Sequence, residues 1–191
     1  YNSGLVLSPD VTTASQEFGH RIVARNDGRT VVVSAPGKGQ GEVHFLFRKS
    51  ADAGTSLSTQ STVTMTENND DTSRLGESLS ISTDENFIVA GAPFSNTVDS
   101  DGSTRQIDSG LLKIYLWNSS TFEYAILNTI SPPTDGSSSN EGLNFGWQHK
   151  ISEPGASSLR TTPRKYLFVS APGHDSDRGR VYMYTLSLIH I

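Results

Sequence analysis

The sequence predicts an all-β chain, and three observations carry that expectation. Ser and Thr make up 46 of the 191 residues, a bias that suits exposed strand faces and turns and gives long helices little support. Short runs of Val, Ile, Leu, Phe and Tyr recur between clusters of Gly, Pro, Asn, Asp and Ser, and no dozen residues carry apolar positions at helical spacing. Laid against itself, the chain also repeats one pattern three times.

The first copy runs from Phe18-Gly19 through Val23, turns at Asn26-Asp27-Gly28, runs through Val31-Val32-Val33-Ser34-Ala35-Pro36, and continues from Gly41 to Phe47. The second opens with Leu75-Gly76, turns at Asp84-Glu85-Asn86, passes through Phe87 to Gly91-Ala92-Pro93, and continues from Gly110 to Trp117. The third has Phe145-Gly146, Tyr166 to Ala171-Pro172, and Gly179 to Tyr184. The Ala-Pro pairs lie 57 and 79 residues apart, whereas the glycines opening the third strands are 69 and 69 apart, so length changes fall in loops. A fourth segment follows the first two copies, at Thr62–Met65 and Tyr124–Ile130, and Gly4–Pro9 resembles these segments. The expected units are therefore residues 1–9 as the outer strand of a preceding unit, then 18–66, 75–130 and a partial 145–185.

Each residue type has a local reason. Gly after Phe or Leu, at the expected start of each first strand, fits a place where neighbouring sheets come too close for a side chain. Ala before Pro suits a crowded inner layer, and Pro, lacking an N–H, stops the ladder. Four short antiparallel strands per unit, repeated radially, describe the blade of a β-propeller.

These residues resemble the FG-GAP repeats of the integrin alpha-chain β-propeller. Phe18-Gly19 with Ala35-Pro36, Leu75-Gly76 with Gly91-Ala92-Pro93, and Phe145-Gly146 with Ala171-Pro172 carry the resemblance, with Ser34 and Ser170 where the full motif has Gly. The resemblance implies a propeller on an exported or cell-surface protein, used for adhesion or ligand binding. Three copies are fewer than the roughly four to eight blades that close a ring, so an incomplete propeller is expected. The opening at Tyr1 rather than Met reads as a piece of a longer chain. The terminal hexapeptide 186–191 does not fit the repeat, resembles a translated sequencing adaptor and is set apart from the fold.

With 15 Lys+Arg against 20 Asp+Glu and a net charge of −5, there is no basic field to bind nucleic acid. No apolar run nears the roughly 20 residues that cross a bilayer, so no membrane insertion is expected within the segment. Zero Cys excludes disulfides and thiolate chemistry.

The family often carries an Asp-rich calcium loop between the first two strands of a blade. Here that place holds only short turns, and the metal site is not carried over. A weaker Ca²⁺ candidate is Asp99, Asp101 and Asp108 with the counterparts Asp175 and Asp177, set against Asx-rich turns that form for their own backbone reasons. No other cofactor is expected. Gly37-Lys38-Gly39-Gln40-Gly41 resembles a phosphate loop but joins two strands and lacks the Lys-Ser/Thr ending. His20, His44, His149, His174 and His190 show no metal spacing, so no catalytic residue is assigned and the chain reads as no enzyme. Asn118-Ser119-Ser120 is the one acceptor triplet for N-glycosylation. Trp147 and Tyr115 are expected between blades.

The functional expectation is a non-enzymatic binding or adhesion module of a larger extracellular or surface protein. Its loops at 96–109 and 135–144 would present a rim to a protein or glycan ligand. The alternatives are a structural repeat in a large surface or virion tail protein, and an accessory propeller to a catalytic domain elsewhere.

Overall fold

The computed structural model describes residues 15–26, 28–47, 58–64, 72–98, 105–133, 140–152 and 165–186, with backbone alone for 58–64 and Arg105. Its first sheet holds β1 (Ile22–Ala24), β2 (Thr30–Ala35), β3 (Glu42–Phe47) and β4 (Ser58–Thr64), antiparallel and in chain order. The second unit contains β5 (Ser78–Ile81), β6 (Phe87–Ala92), β7 (Thr97–Val98), β8 (Arg105–Gln106), β9 (Leu111–Asn118) and β10 (Glu123–Ile130). There β5, β6, β9 and β10 form the sheet, while β7 and β8 pair only with each other. The third sheet holds β11 (His149–Ser152), β12 (Lys165–Ala171) and β13 (Arg180–Leu186), with a single turn α1 (His174–Asp177) before β13.

Register makes the three sheets superimposable. Ser34 pairs with Val43, Gly91 with Leu112, and Ser170 with Val181. The step where strand three meets strand four carries a bulge at the same place in both complete sheets, at Phe45/Leu46 and at Ile126/Asn128. Alternation along the strands gives each sheet two working faces. Val32, Val43 and Phe45 from the first sheet meet Leu75, Ile88, Ala90, Ala92, Leu111 and Tyr115 of the second in one buried cluster. Phe87, Val89, Leu112 and Ile114 on the second sheet's other face meet Phe145, Ile151, Leu167, Val169 and Ala171 of the third. Fully burying a side chain of this size stabilises by roughly 1.5–3 kcal/mol, so these two layers hold the sheets face to face. Strand β5 touches both β1 and β11. The result is an all-β arc of three neighbouring blades, an incomplete propeller.

The glycine turns show why the repeat needs its residues. Gly19, Gly76 and Gly146 have φ of +92°, +92° and +89°, left-handed values that strain any residue with a Cβ. A Cβ on Gly76 would lie 2.5 Å from the Ser34 Cβ, and one on Gly146 would lie 2.9 Å from the Leu111 carbonyl oxygen. These glycines sit in turns ahead of the first strands, so the strands begin at Ile22, Ser78 and His149 and not at the motif itself. Ala35, Ala92 and Ala171 are fully buried and end their strands, each followed by Pro.

Several expected features change. Trp147 lies outside both buried layers and is 39% exposed, its ring edge-on to Phe94 at 5.6 Å, because it follows the Gly146 turn before pairing begins. Tyr115 is fully buried between the first two sheets. Leu186, set apart in the sequence with the terminal hexapeptide, closes β13 opposite Lys165. Residues 1–9, Asp27, Met65 and 187–191 lie outside the described residues. Among the described residues no helix is long and apolar enough to cross a membrane.

Candidate functional site

The rim at the glycine turns gathers the longest connections. The β7–β8 ribbon lies between β6 and β9, and the chain entering the third sheet is hydrogen-bonded alongside its far end. Gly142 N–H donates to the Ile107 carbonyl at 2.8 Å, Asn144 N–H to Asp108 at 2.9 Å, and Phe145 N–H to Ser109 at 3.0 Å. Asn96 Oδ1 accepts from Asp108 N–H at 2.8 Å, Thr97 Oγ1 meets Ser109 Oγ at 2.7 Å, and Asn144 Nδ2 donates to the Pro93 carbonyl at 3.3 Å. The described parts of the two loops expected to form a rim are thus tied to one another by backbone bonds. Val98 and Ile107 are large apolar side chains left about half-exposed on this platform, and Trp147, against Phe94, is exposed as well.

At the same turns of the first two sheets the rim is charged. Arg74 donates Nε to Glu77 at 2.9 Å and Nη2 to Glu17 at 2.7 Å, while His20 Nε2 lies 3.1 Å from Glu77 Oε1. The Arg74 guanidinium lowers the Glu17 carboxyl from its ordinary value, and the Glu17 carboxylate raises Arg74 in turn. The third sheet carries neutral Asn144 and Trp147 at these positions.

The opposite rim has its own polar margins. Arg25 covers the Trp117 ring at 4.1 Å and lies 3.4 Å from Glu85, whose backbone carbonyl accepts from Tyr124 Oη. Lys165 pairs with Asp84 across the second seam and sits 5.4 Å over Phe87. Burial alone would raise the Asp84 carboxyl, but Lys165, Ser82 and Asn86 outweigh it and hold the group near 2. Deep in the first sheet, Glu42 Oε2 meets His44 Nε2 at 3.1 Å and Lys38 Nζ at 3.0 Å. Burial lowers His44 there, with Glu42 opposing. His149 Nδ1 bonds Ser80 Oγ at 2.8 Å across the second seam, and burial pushes the imidazole down to about 4. Charge pairs that join residues some 57–81 positions apart left no local signal in the sequence.

The calcium candidates are scattered. Asp99 and Asp101 lie outside the described residues. Asp108 has φ +51° in the turn that receives Asn144 N–H, and its own N–H is held by Asn96. Asp175 pairs with Arg178 at 3.0 Å, and Asp175 and Asp177 sit exposed with left-handed backbone, so they serve the turn before β13. Among the described residues no group of three His, Asp or Glu side chains could hold a metal ion. The 37–41 segment is a tight hairpin connection closed by Lys38 N–H to Ala35 and Gly41 N–H to Lys38. His20 and His149 lie at the seams, His44 is buried in β3, His174 lies in α1, and His190 falls outside the described residues. Asn118 ends β9 exposed, its Oδ1 accepting from Ser120 N–H at 2.9 Å in an Asx turn.

No family model matches the chain, and no curated protein does. Among solved structures, the Pseudomonas aeruginosa periplasmic gluconolactonase PpgL aligns over 92% of this chain and 40% of that one, at 14% identity and a TM-score of 0.44. This chain therefore spans less than half of that protein's length.

Proposed function

We propose that this chain is a binding module, a non-enzymatic arc of a propeller that presents its glycine-turn rim to a protein or glycan on the outside of the cell. The carrying observation is the joined platform of the β7–β8 ribbon and residues 140–147. Long connections normally gain variability by hanging free. Here three successive backbone bonds fix them against each other, and the surface they fix exposes Val98, Ile107 and Trp147. Aromatic anchors set among polar groups are where binding energy concentrates. The resemblance of the Phe/Leu-Gly and Ala-Pro pattern to FG-GAP repeats supports the same reading, as does the exposed acceptor triplet at Asn118. The test is binding of the purified chain to immobilised surface glycans and matrix proteins, with Trp147→Ala and Ile107→Asp alongside. The reading expects at least a tenfold loss in both variants with the fold intact. Binding that both variants keep would overturn it.

A further inference from the structure

We infer that Asn118, at the tip of the β9–β10 hairpin, is the acceptor of an N-linked glycan, and that the first sugar of that glycan lies against the ring of Phe122. The inference rests on the extracellular reading above for its compartment alone, and not on the rim which that reading gives to the ligand.

The hairpin tip presents the Asn118 carboxamide. Asn118 pairs with Glu123 to close the hairpin, and Phe122 N–H donates to the Asn118 carbonyl at 2.8 Å, so residues 119–122 form the turn. Within it Asn118 Oδ1 accepts from Ser120 N–H at 2.9 Å and from Thr121 N–H at 3.4 Å. With Oδ1 held by the backbone, the amide nitrogen of the same planar group is turned away from those donors, and Nδ2 makes no hydrogen bond among the described residues. Two N–H groups on Oδ1 also draw electron density out of the carboxamide and make Nδ2–H more acidic. The Ser120 hydroxyl, which the acceptor triplet requires two residues on, is likewise unbonded among the described residues, and residues 118–123 are all exposed. Transfer forms a bond between Nδ2 and the anomeric carbon of a polyprenyl-diphosphate-linked oligosaccharide. The carbon–oxygen bond to the diphosphate breaks, the diphosphate leaves with the electron pair, and the amide proton passes to a base of the transferase. The hydrogen bonds that shape the acceptor all fall within residues 118–123, so its geometry needs no stacked sheet.

Phe122 supplies the second observation. Its ring is 58% exposed and edge-on to Trp117 at 6.4 Å, at a tip otherwise made of Asn, Ser, Thr and Glu. Trp117 is a fixed base for it: Arg25 covers the indole at 4.1 Å, Tyr124 lies 5.0 Å away, and Trp117 N–H donates to the Asn86 carbonyl at 2.8 Å. The N-acetylglucosamine ring that begins an N-linked glycan has an apolar C–H face, and laying that face on an aromatic ring removes apolar area from water on both partners. The bond from Phe122 N–H to the Asn118 carbonyl keeps ring and acceptor on adjoining backbone, within reach of the first sugar. The site also leaves the proposed ligand rim open. β9 runs from Leu111, next to the Gly110 turn, to Asn118, which puts the glycan ~24 Å from that turn at the rise of a strand.

The test secretes the whole chain from cultured eukaryotic cells behind an added signal sequence, beside Asn118→Gln, Ser120→Ala, Ser120→Thr and Phe122→Ala, and reads intact mass and mapped peptides before and after peptide-N-glycosidase. The inference expects a glycan on the unaltered chain that the enzyme removes, none on Asn118→Gln or Ser120→Ala, and a glycan kept on Ser120→Thr. An unmodified secreted chain would overturn it, while the rim reading would stand or fall separately on Trp147→Ala and Ile107→Asp. For the ring, thermal melts compare each glycosylated protein with its glycosidase-treated form. The carboxylate that the enzyme leaves in place of the carboxamide is common to both proteins, so the difference between them reports the contact. Removing the glycan should lower the midpoint of the unaltered chain by about 2–4 °C, the shift expected at this chain length when part of one side chain is uncovered, and that of Phe122→Ala by less than about 1 °C. Equal shifts in the two proteins would overturn the part given to Phe122.

Discussion

The two seams between the sheets are the instructive comparison. Their interiors are alike: an apolar layer of Val, Leu, Ile and Phe, a left-handed glycine, and the N–H of the residue before that glycine crossing to the preceding sheet. Their margins differ. The first seam is edged by Arg74, Glu17, Glu77 and His20, and the second by Asn144 with Trp147 against Phe94. The sheets are held by backbone register and burial, and the rim residues vary without disturbing either. The hydroxyl near the glycine turn makes the point at atomic scale. In the first sheet Ser34 Oγ accepts from Arg21 N–H at 3.1 Å. In the second, Gly91 stands at that position and Ser78 on the neighbouring strand supplies the hydroxyl, donating to the Gly146 carbonyl at 2.7 Å. A Cβ on Gly91 would lie 2.3 Å from Ser78 Oγ and 2.2 Å from the Gly146 oxygen. The Gly of Gly-Ala-Pro here makes room for a serine one strand away.

The largest effect expected is at the glycines that open the third strands. Gly110→Val places a branched side chain against the Phe145 backbone at φ +83° and should abolish folding, read as loss of the cooperative urea transition. Gly179→Val, at the matching position, where a Cβ would meet nothing closer than 3.5 Å, should cost only the roughly 1–2 kcal/mol of left-handed strain. Equal effects would break the account of the seam. Next, Phe45→Ala empties a site shared with Tyr115 at 5.2 Å and Tyr124 at 5.7 Å and should cost about 3–5 kcal/mol, whereas Met183→Ala at the equivalent exposed position should stay within about 0.5 kcal/mol. Gly91→Ser should destabilise by more than about 2 kcal/mol through overpacking and strain. Adding Ser78→Ala should recover part of the loss, a coupling that a double-mutant cycle measures directly.

Acid should loosen the second seam. His149 has its folded value depressed to about 4 from 6.5, so its contribution is full above 6.5 and is lost as the pH falls toward 4. Asp84, held near 2 against 3.8, loses its contribution lower, between about 4 and 2. Urea midpoints of His149→Gln against the unaltered chain should converge between pH 7 and 4.5, and a gap that stays constant would contradict the assignment. The smallest effect belongs to the exposed rim. Removing Arg74 should cost no more than about 1 kcal/mol, and that cost should shrink with salt.

Much of the fold was legible because repetition makes weak signals add. One Phe-Gly or one Ala-Pro says little, but three copies in register marked every strand of the three sheets except the β7–β8 ribbon, whose two-residue strands lie within a Ser- and Asp-rich loop that reads as turn. Strand starts were placed too early at Phe18, Leu75 and Phe145, since a motif that packs sheets together resembles a motif that begins one. Trp147 was misplaced for a related reason: it follows the glycine by one residue, still inside the turn, where an aromatic side chain can face outward. The ion pairs that cross the seams, Glu17 with Arg74 and Asp84 with Lys165 among them, had no sequence signal at all, because each joins residues that only the stacking of whole sheets brings together. The joining of the 96–109 and 135–144 loops was hidden likewise, although both were expected at the rim.

The central claim is that two equivalent crossings, Leu75 to Gln40 and Phe145 to Ser109, fasten the sheets. Amide hydrogen exchange on the dilute chain tests this residue by residue. The account predicts that the Leu75 and Phe145 amides exchange only with global unfolding and that the Phe18 amide, the counterpart position, which donates no hydrogen bond among the described residues, exchanges rapidly. Rapid exchange at Leu75 or Phe145, or protection at Phe18 equal to theirs, would contradict it.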